Sequence, residues 1–224
     1  MPKRLTPLVN GGFYHIYNHG IDLKETFTSK REYQHFQLAA WYYQPQIIPF
    51  KFSYYLNLSS DLRMQFMTET MKKDKAIKIH AYCLMRNHYH LLLEQLVENG
   101  ISKFIGNLQN SYTKYFNIKH ERKGPLFLSA FKAKQVQTEE QFLHVSRYIH
   151  LNPFSAQIVK SLEQLKRYPY CSLPDYFGTP LMLRATYTDN LLGFFKTREK
   201  FWKFITDQAD YQRQLAHISH LLDY

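Results

Sequence analysis

Apolar positions, mostly aromatic, fill "GGFYHIYNHG" between polar ones, which reads as a first strand over about 12–17, closed by a turn at Asn18 and Gly20. In "SKREYQHFQLAAWYYQ" the pattern changes. Tyr33, Phe36, Ala40 and Tyr43 recur at helical spacing, Ser29 is placed to cap the helix, and Pro45 and Pro49 end it. Between 44 and 76, "IIPFKFSYYL" reads as strand or loop and "SSDLRMQFMTETMKK" as helix. "AIKIHAYCLMRNHYHLLLE" has the pattern of a β-hairpin, with strands of about 76–83 and 88–94 around Met85-Arg86-Asn87. "SKFIGNLQNSYTKYFNIKH" aligns Phe104, Leu108, Tyr112 and Tyr115 or Phe116 on one helical side. Gly124-Pro125 breaks the chain before a short strand, "FKAKQV". "TEEQFLHVSRYIHL" is a helix with Thr138 as cap, Gln141 in capping-box position and Pro153 beyond its end. A helical, aromatic-rich tail follows from about 189 to 222. There is no internal repeat and no low-complexity segment. Helices mixed with strands around a hairpin indicate an α+β domain on a mostly antiparallel sheet.

Composition narrows the function more than the fold. The 224 residues suit one domain with an appendage, and 45% hydrophobic content supplies a core. A formal charge of +11 and a pI near 9.5 favour an anionic partner, nucleic acid first and a membrane surface second. The plain alternative is a basic surface with no special partner. Cys83 and Cys171 cannot form a disulfide framework, which suggests a reducing compartment. The start, "MPKRLTPLVNGGF", has no apolar core of a signal peptide, and no apolar run is long enough to span a membrane. The expected location is therefore cytoplasmic and nucleoid-associated, with no membrane partner.

The candidate chemistry begins at "CLMRNHYHLLLE", residues 83–94. On an extended strand His88 and His90 project to one face, and Tyr89 and Leu91 to the other. Two neutral imidazoles side by side can bind a divalent metal, or they can be partly buried polar residues; spacing alone does not separate these. In "SRYIHLNP", Tyr148 and Asn152 lie one helical turn apart, on one face. If that face packs over the histidine strand, two nitrogens and an amide oxygen could hold a cation beside a phenol. Such a set suits phosphodiester transfer, with the metal polarising phosphate and the phenol as covalent nucleophile. The counter-reading is equally simple, since tyrosines are common in this chain and Asn-Pro is an ordinary helix stop. A zinc hydrolase built on His-x-His would need further ligands and a water-activating carboxylate, and no such motif is evident.

The segments "YHIYNHG", "HAYCLMRNHYHLLLE", "SYTKYFNIKH", "GPLFLSAFKAK", "SRYIHLNPFSA" and "YPYCSLPDYFG" occur in the order found in REP-associated tyrosine transposases. These belong with the single-stranded-DNA insertion-sequence transposases of the HUH endonuclease superfamily. The resemblance covers about residues 12–178 and implies a ferredoxin-like sheet, a Mg²⁺ or Mn²⁺ ion and one catalytic tyrosine. It makes Tyr148 the nucleophile, His88 and His90 metal ligands and Asn152 the third ligand. It implies cutting of single-stranded or hairpin DNA through a 5′-phosphotyrosine link. The division it suggests is a catalytic domain over 1–178 and a helical extension over 179–224. One tyrosine per chain means two cuts need two sites or two visits, so a homodimer is compatible but not required.

Three departures from the family pattern stand out. Arg86 replaces the usual proline, and His19 and Ala130 replace usual arginines, which would hold phosphate. Losing both arginines motivates a rival reading, a domesticated, non-catalytic nucleic-acid-binding module on the same fold. The stretch 114–134 holds six Lys/Arg against one Glu. Lys114, Lys119, Arg122, Lys123, Lys132 and Lys134, with Arg86, are the expected DNA contacts, against the alternative of a solvated charged face. Tyr115, Phe116, Phe127 and Phe131 could stack on bases, though core packing is their commoner use. Histidine ligands must be neutral, so activity is expected to fall as pH drops through roughly 6.5. The remaining histidines, His15 among them, receive no role.

Overall fold

The computed structural model describes residues 7–178 and 186–214. Its frame is β1 (Phe13–His19), α1 (Lys30–Tyr42), α2 (Phe52–Leu56), α3 (Ser60–Met71), β2 (Ile77–Leu84), β3 (His88–Gln95), α4 (Gly100–Lys119) and β4 (Lys132–Val136). The strands form one sheet in the order β2-β3-β1-β4, and every neighbouring pair is antiparallel. With α1 and α4 as its two main helices, this is the ferredoxin-like α+β arrangement. Then follow α5 (Glu139–Ser155), α6 (Leu162–Lys166), α7 (Leu173–Tyr176), α8 (Asp189–Leu192) and α9 (Arg198–Thr206).

Alternation along the strands sorts the sheet into two faces. Tyr14 and Ile16 of β1, Ile77 and Ile79 of β2, and Tyr89, Leu91 and Leu93 of β3 join Phe36, Phe104, Leu108 and Tyr112 of α1 and α4 in one core. On the opposite face Ala81, Cys83, Leu92 and Val136 meet Phe142, Ile149 and Leu151 of α5. That second core also holds Leu191, Phe201 and Ile205, so α8 and α9 pack in the same layer as α5. The part of the expected tail helix beyond 214 lies outside the described residues.

Several boundaries differ from the sequence expectation. The first strand runs on to His19, because Asn18 and His19 still pair with Tyr89 and His88. Gly20 makes the exit. A Cβ there would collide with the Lys24 carbonyl, and its N–H donates to the Asn87 carbonyl at 2.8 Å. The ambiguous stretch 44–76 forms α2 and α3, with Phe52, Tyr55 and Phe66 clustered around Tyr42. Helix α5 does not stop before Pro153 but continues to Ser155, with the Ala156 N–H still bonded to the Asn152 carbonyl at 2.9 Å.

Candidate active site

The site lies on the face of the sheet under α5. His88 and His90 stand there on β3, as alternation predicts. Pairing of β3 with β1 sets His88 opposite His19 and His90 opposite Tyr17, with His15 opposite Leu92. Pairing of β1 with β4 sets Lys132 opposite Tyr17 and Lys134 opposite His15. Residues two apart share a face, so His15, Tyr17, His19, His88, His90, Lys132 and Lys134 all face the same way.

Tyr148 on α5 closes over this group. Its ring centroid is 5.5 Å from that of His90 and 5.9 Å from that of His15, both edge-on. The side chain is 42% exposed, which keeps the phenol within reach of a substrate. Burial pushes the phenol above its ordinary pKa, and the Asn152 amide pulls the other way. Asn152 sits one turn on, at the margin of burial. Its Nδ2 donates to the Tyr148 carbonyl at 3.2 Å rather than bonding either histidine. The same carbonyl accepts from Gln212 Nε2 at 3.1 Å, so the segment after α9 braces the helix at the tyrosine.

The histidine pair is compact, with ring centroids 5.0 Å apart. Burial, then the charge of His19, brings His88 down to about 4. Burial also takes His90 well below the usual histidine range, with His88, His15 and His19 adding to it. Both rings therefore stay neutral far below 6.5, which corrects the expected pH dependence. His90 Nε2 is buried and has no partner among the described residues. A vacant nitrogen in that position fits a metal ligand. Among the described residues no group of three or more His, Cys, Asp or Glu side chains could hold an ion. A cation at this pair would thus take its other ligands from an amide oxygen, water or phosphate, which suits Mg²⁺ or Mn²⁺.

The expected DNA contacts divide. Lys132 and Lys134 lie beside the histidines. Lys114 and Lys123, with Arg122, line an open depression of about 550 Å³ along the end of α4. Arg122 is also structural, since it donates to Asn117 Oδ1 at 2.8 Å and to the Pro125 carbonyl at 2.9 Å. Arg86 is exposed but paired with Glu25 at 3.0 Å. Lys119 lies at the surface but is tied down by a buried carboxylate. It bonds Glu32 at 2.5 Å and Ser29 at 2.8 Å, and Glu32 is fully buried while completing the capping box of α1. Burial pushes the Glu32 carboxyl up, but bonds from Lys119, His120 and Thr28 outweigh it and hold it at about 2. Phe116 and Phe127 are core residues and Tyr115 stacks on His35 at 3.8 Å, so packing claims these rings.

Three residues of this face escaped the sequence reading. His15 and Tyr17 flank His90, and Asn87 bonds His88 Nδ1 at 2.7 Å. The available signal was His15-x-Tyr17-x-His19 on β1, the same two-residue period as His88 and His90. What was missing was the strand pairing that brings the two sets together.

Residues 53–152 match the family model described as "Transposase IS200 like", a span holding His88, His90, Tyr148 and Asn152. The resemblance read from the motifs is thus borne out. No curated protein matches the chain. Among solved structures, a REP-associated tyrosine transposase bound to a REP hairpin is similar, with a TM-score of 0.54 and 12% identity over 84% of this chain and 93% of that one. At that identity the likeness is one of fold. No helix among the described residues is long and apolar enough to cross a membrane.

Proposed function

We propose that this chain is a metal-dependent DNA strand transferase, a transposase that cuts single-stranded or hairpin DNA by forming a bond between Tyr148 and phosphorus. The observation that supports it most is the placement of a half-exposed tyrosine over a buried His90 and a half-buried His88, both held neutral, inside the segment that matches the transposase family. The catalytic unit is 1–178 and the extension is 179–224, of which the described residues 186–214 brace the helix that carries the tyrosine.

His88, His90 and the Asn152 side-chain oxygen would hold a Mg²⁺ or Mn²⁺ ion. When bound, such an ion polarises a phosphate oxygen and neutralises charge developing on it. Tyr148 Oη attacks phosphorus as its phenolic proton leaves, and the bond from phosphorus to the 3′ oxygen breaks. The departing oxygen takes up a proton and becomes a free 3′ hydroxyl, while the tyrosine carries the 5′ phosphate. One phosphoester bond replaces another, so a DNA 3′ hydroxyl can reverse the step and join a new strand. Two cuts need two sites or two visits, and a homodimer is one route to that.

Lys132 and Lys134 would hold the backbone beside the reacting phosphate, and Lys114 and Lys123 would extend the track. Each Lys→Ala change at these four positions should lower the slope of log affinity against log salt by about one. Lys119→Met should leave that slope alone and cost about 1–2 kcal/mol of stability, because Glu32 stays buried with one cation fewer. Binding by filter retention across a salt series, beside thermal melts, separates the two groups.

A second reading, a non-catalytic nucleic-acid-binding module, is favoured by His19 and Ala130 standing where the family usually has arginine. The deciding experiment incubates the protein with Mn²⁺ and a library of labelled hairpin DNAs, followed by a denaturing gel. A covalent protein–DNA band that disappears with chelator supports strand transfer. Hairpin binding without any band favours the module, and no preference for unpaired DNA counts against both.

A further inference from the structure

Each histidine of the pair has a partner on its Nδ1. His88 Nδ1 lies 2.7 Å from Asn87 Oδ1, and His90 Nδ1 lies 3.0 Å from His15 Nε2. We propose that Asn87 and His15 are positioning residues that hold the proton on Nδ1 of His88 and His90, so that both rings present an unprotonated Nε2 to a divalent cation. The inference rests on the metal reading above.

The assignment at Asn87 follows from what its other end touches. One atom of its amide group lies 3.1 Å from the Leu23 carbonyl. A carbonyl can only accept, so that atom is the nitrogen, and the oxygen faces His88. An amide oxygen can only accept as well, so His88 Nδ1 carries the hydrogen and Nε2 keeps its lone pair. The Leu23 carbonyl is itself fixed. Asp22 and Leu23 both adopt left-handed backbone at φ 55°, a costly conformation for these residues. The turn is tied to the hairpin by Gly20 N–H to the Asn87 carbonyl, and by Thr26 and Phe27 N–H to the Arg86 carbonyl. The turn after β1 thus determines which way Asn87 points.

At His90 the geometry allows two arrangements. Either His15 donates from Nε2 and His90 carries its hydrogen on Nε2, or His90 donates from Nδ1 and His15 accepts. The first leaves a buried N–H with no partner among the described residues, because His90 Nε2 has none. The second leaves a buried lone pair, which a cation satisfies. Ion binding therefore selects the second arrangement, and His15 is the group that makes it available. His88 needs no such selection, since Asn87 fixes it in advance.

The test measures Mn²⁺ binding by calorimetry in the full chain, with metal-free hairpin binding in chelator as a control for folding. His15→Leu and Asn87→Leu should each weaken Mn²⁺ by about 10- to 100-fold while metal-free DNA binding stays intact. His15→Gln, which keeps an accepting oxygen, should recover most of the loss at that position. Nitrogen-15 spectra of the wild type saturated with Mg²⁺ should show His88 and His90 both protonated on Nδ1. The proposal is overturned if His15→Leu binds Mn²⁺ like wild type, if Gln restores nothing where Leu weakens, or if His90 stays protonated on Nε2 with the ion bound. A wild type that binds no Mn²⁺ overturns the metal reading first, and this inference with it, so the two failures are told apart.

Discussion

Tyr148→Phe is expected to bind hairpin DNA as wild type does, to melt within a degree or two of it, and to form no covalent adduct. Strand cleavage should fall by at least about three orders of magnitude, because the change removes the nucleophilic atom and nothing else. The packing argument makes this result interpretable. The Tyr148 ring meets His15 and His90 edge-on, and phenylalanine keeps that ring. The side chain is 42% exposed, so loss of the hydroxyl leaves no fully buried group unpaired, and the stability change should stay within about 0.5 kcal/mol. In the wild type the adduct should carry the strand on the 5′-phosphate side of the cut and leave a 3′ hydroxyl that a polymerase can extend. The other tyrosine on this face is Tyr17, whose ring centroid lies 5.7 Å from that of His90. If Tyr148→Phe still forms an adduct and peptide mapping places it on Tyr17, the assignment of the nucleophile is wrong even though the chemistry survives.

The parts of this site legible in the sequence are those set by short-range geometry. A two-residue period puts His88 and His90 on one face, and a four-residue period puts Tyr148 and Asn152 on another. His15 was passed over because its relation to His90, 75 positions away, comes from the antiparallel register of β1 on β3. Lys119 was read as a DNA contact for a related reason. A run of basic residues does not reveal that one of them reaches a buried carboxylate on α1, 87 positions away. The end of α5 shows a local rule giving way to tertiary packing. Proline removes one helical hydrogen bond, yet Pro153 and Phe154 are buried against the second core and the helix carries through. Of the stretch 44–76, the helix read in "SSDLRMQFMTETMKK" is α3, but "IIPFKFSYYL" stayed ambiguous because its aromatic residues serve one cluster around Tyr42 rather than a periodic stripe.

Acid should unfold this protein well before it titrates the site. His15 and His150 are buried, and each is held neutral in the folded chain, His15 at about 4 by burial and Lys134, His150 at about 3 by burial. Once unfolded, both take up a proton near pH 6.5, the ordinary histidine value. Between 6.5 and about 4 the unfolded state therefore binds more protons, and stability falls as pH falls. From pH 7 to pH 5 the loss is about 2 kcal/mol for each of the two, or about 4 kcal/mol together. Over the same drop these two alone should lower the melting temperature by roughly 10 °C for a chain of this size, and His35, His88 and His90, depressed by burial in the same sense, add to it. Glu32 does not blur this window, because its stabilising effect is lost only as pH falls below the ordinary carboxylate range toward about 2. His150 gives the cleanest check, since it lies away from the metal pair and bonds Ser172 Oγ at 2.9 Å. His150→Gln keeps a polar group there and removes the titration, so the gap between its stabilities at pH 7 and pH 5 should shrink by about 2 kcal/mol. Denaturant melts at the two pH values measure that gap directly. An unchanged gap would mean that His150 is not neutral in the folded chain. Loss of adduct formation in acid that precedes loss of helical signal would mean that the site, not the fold, sets the acid limit.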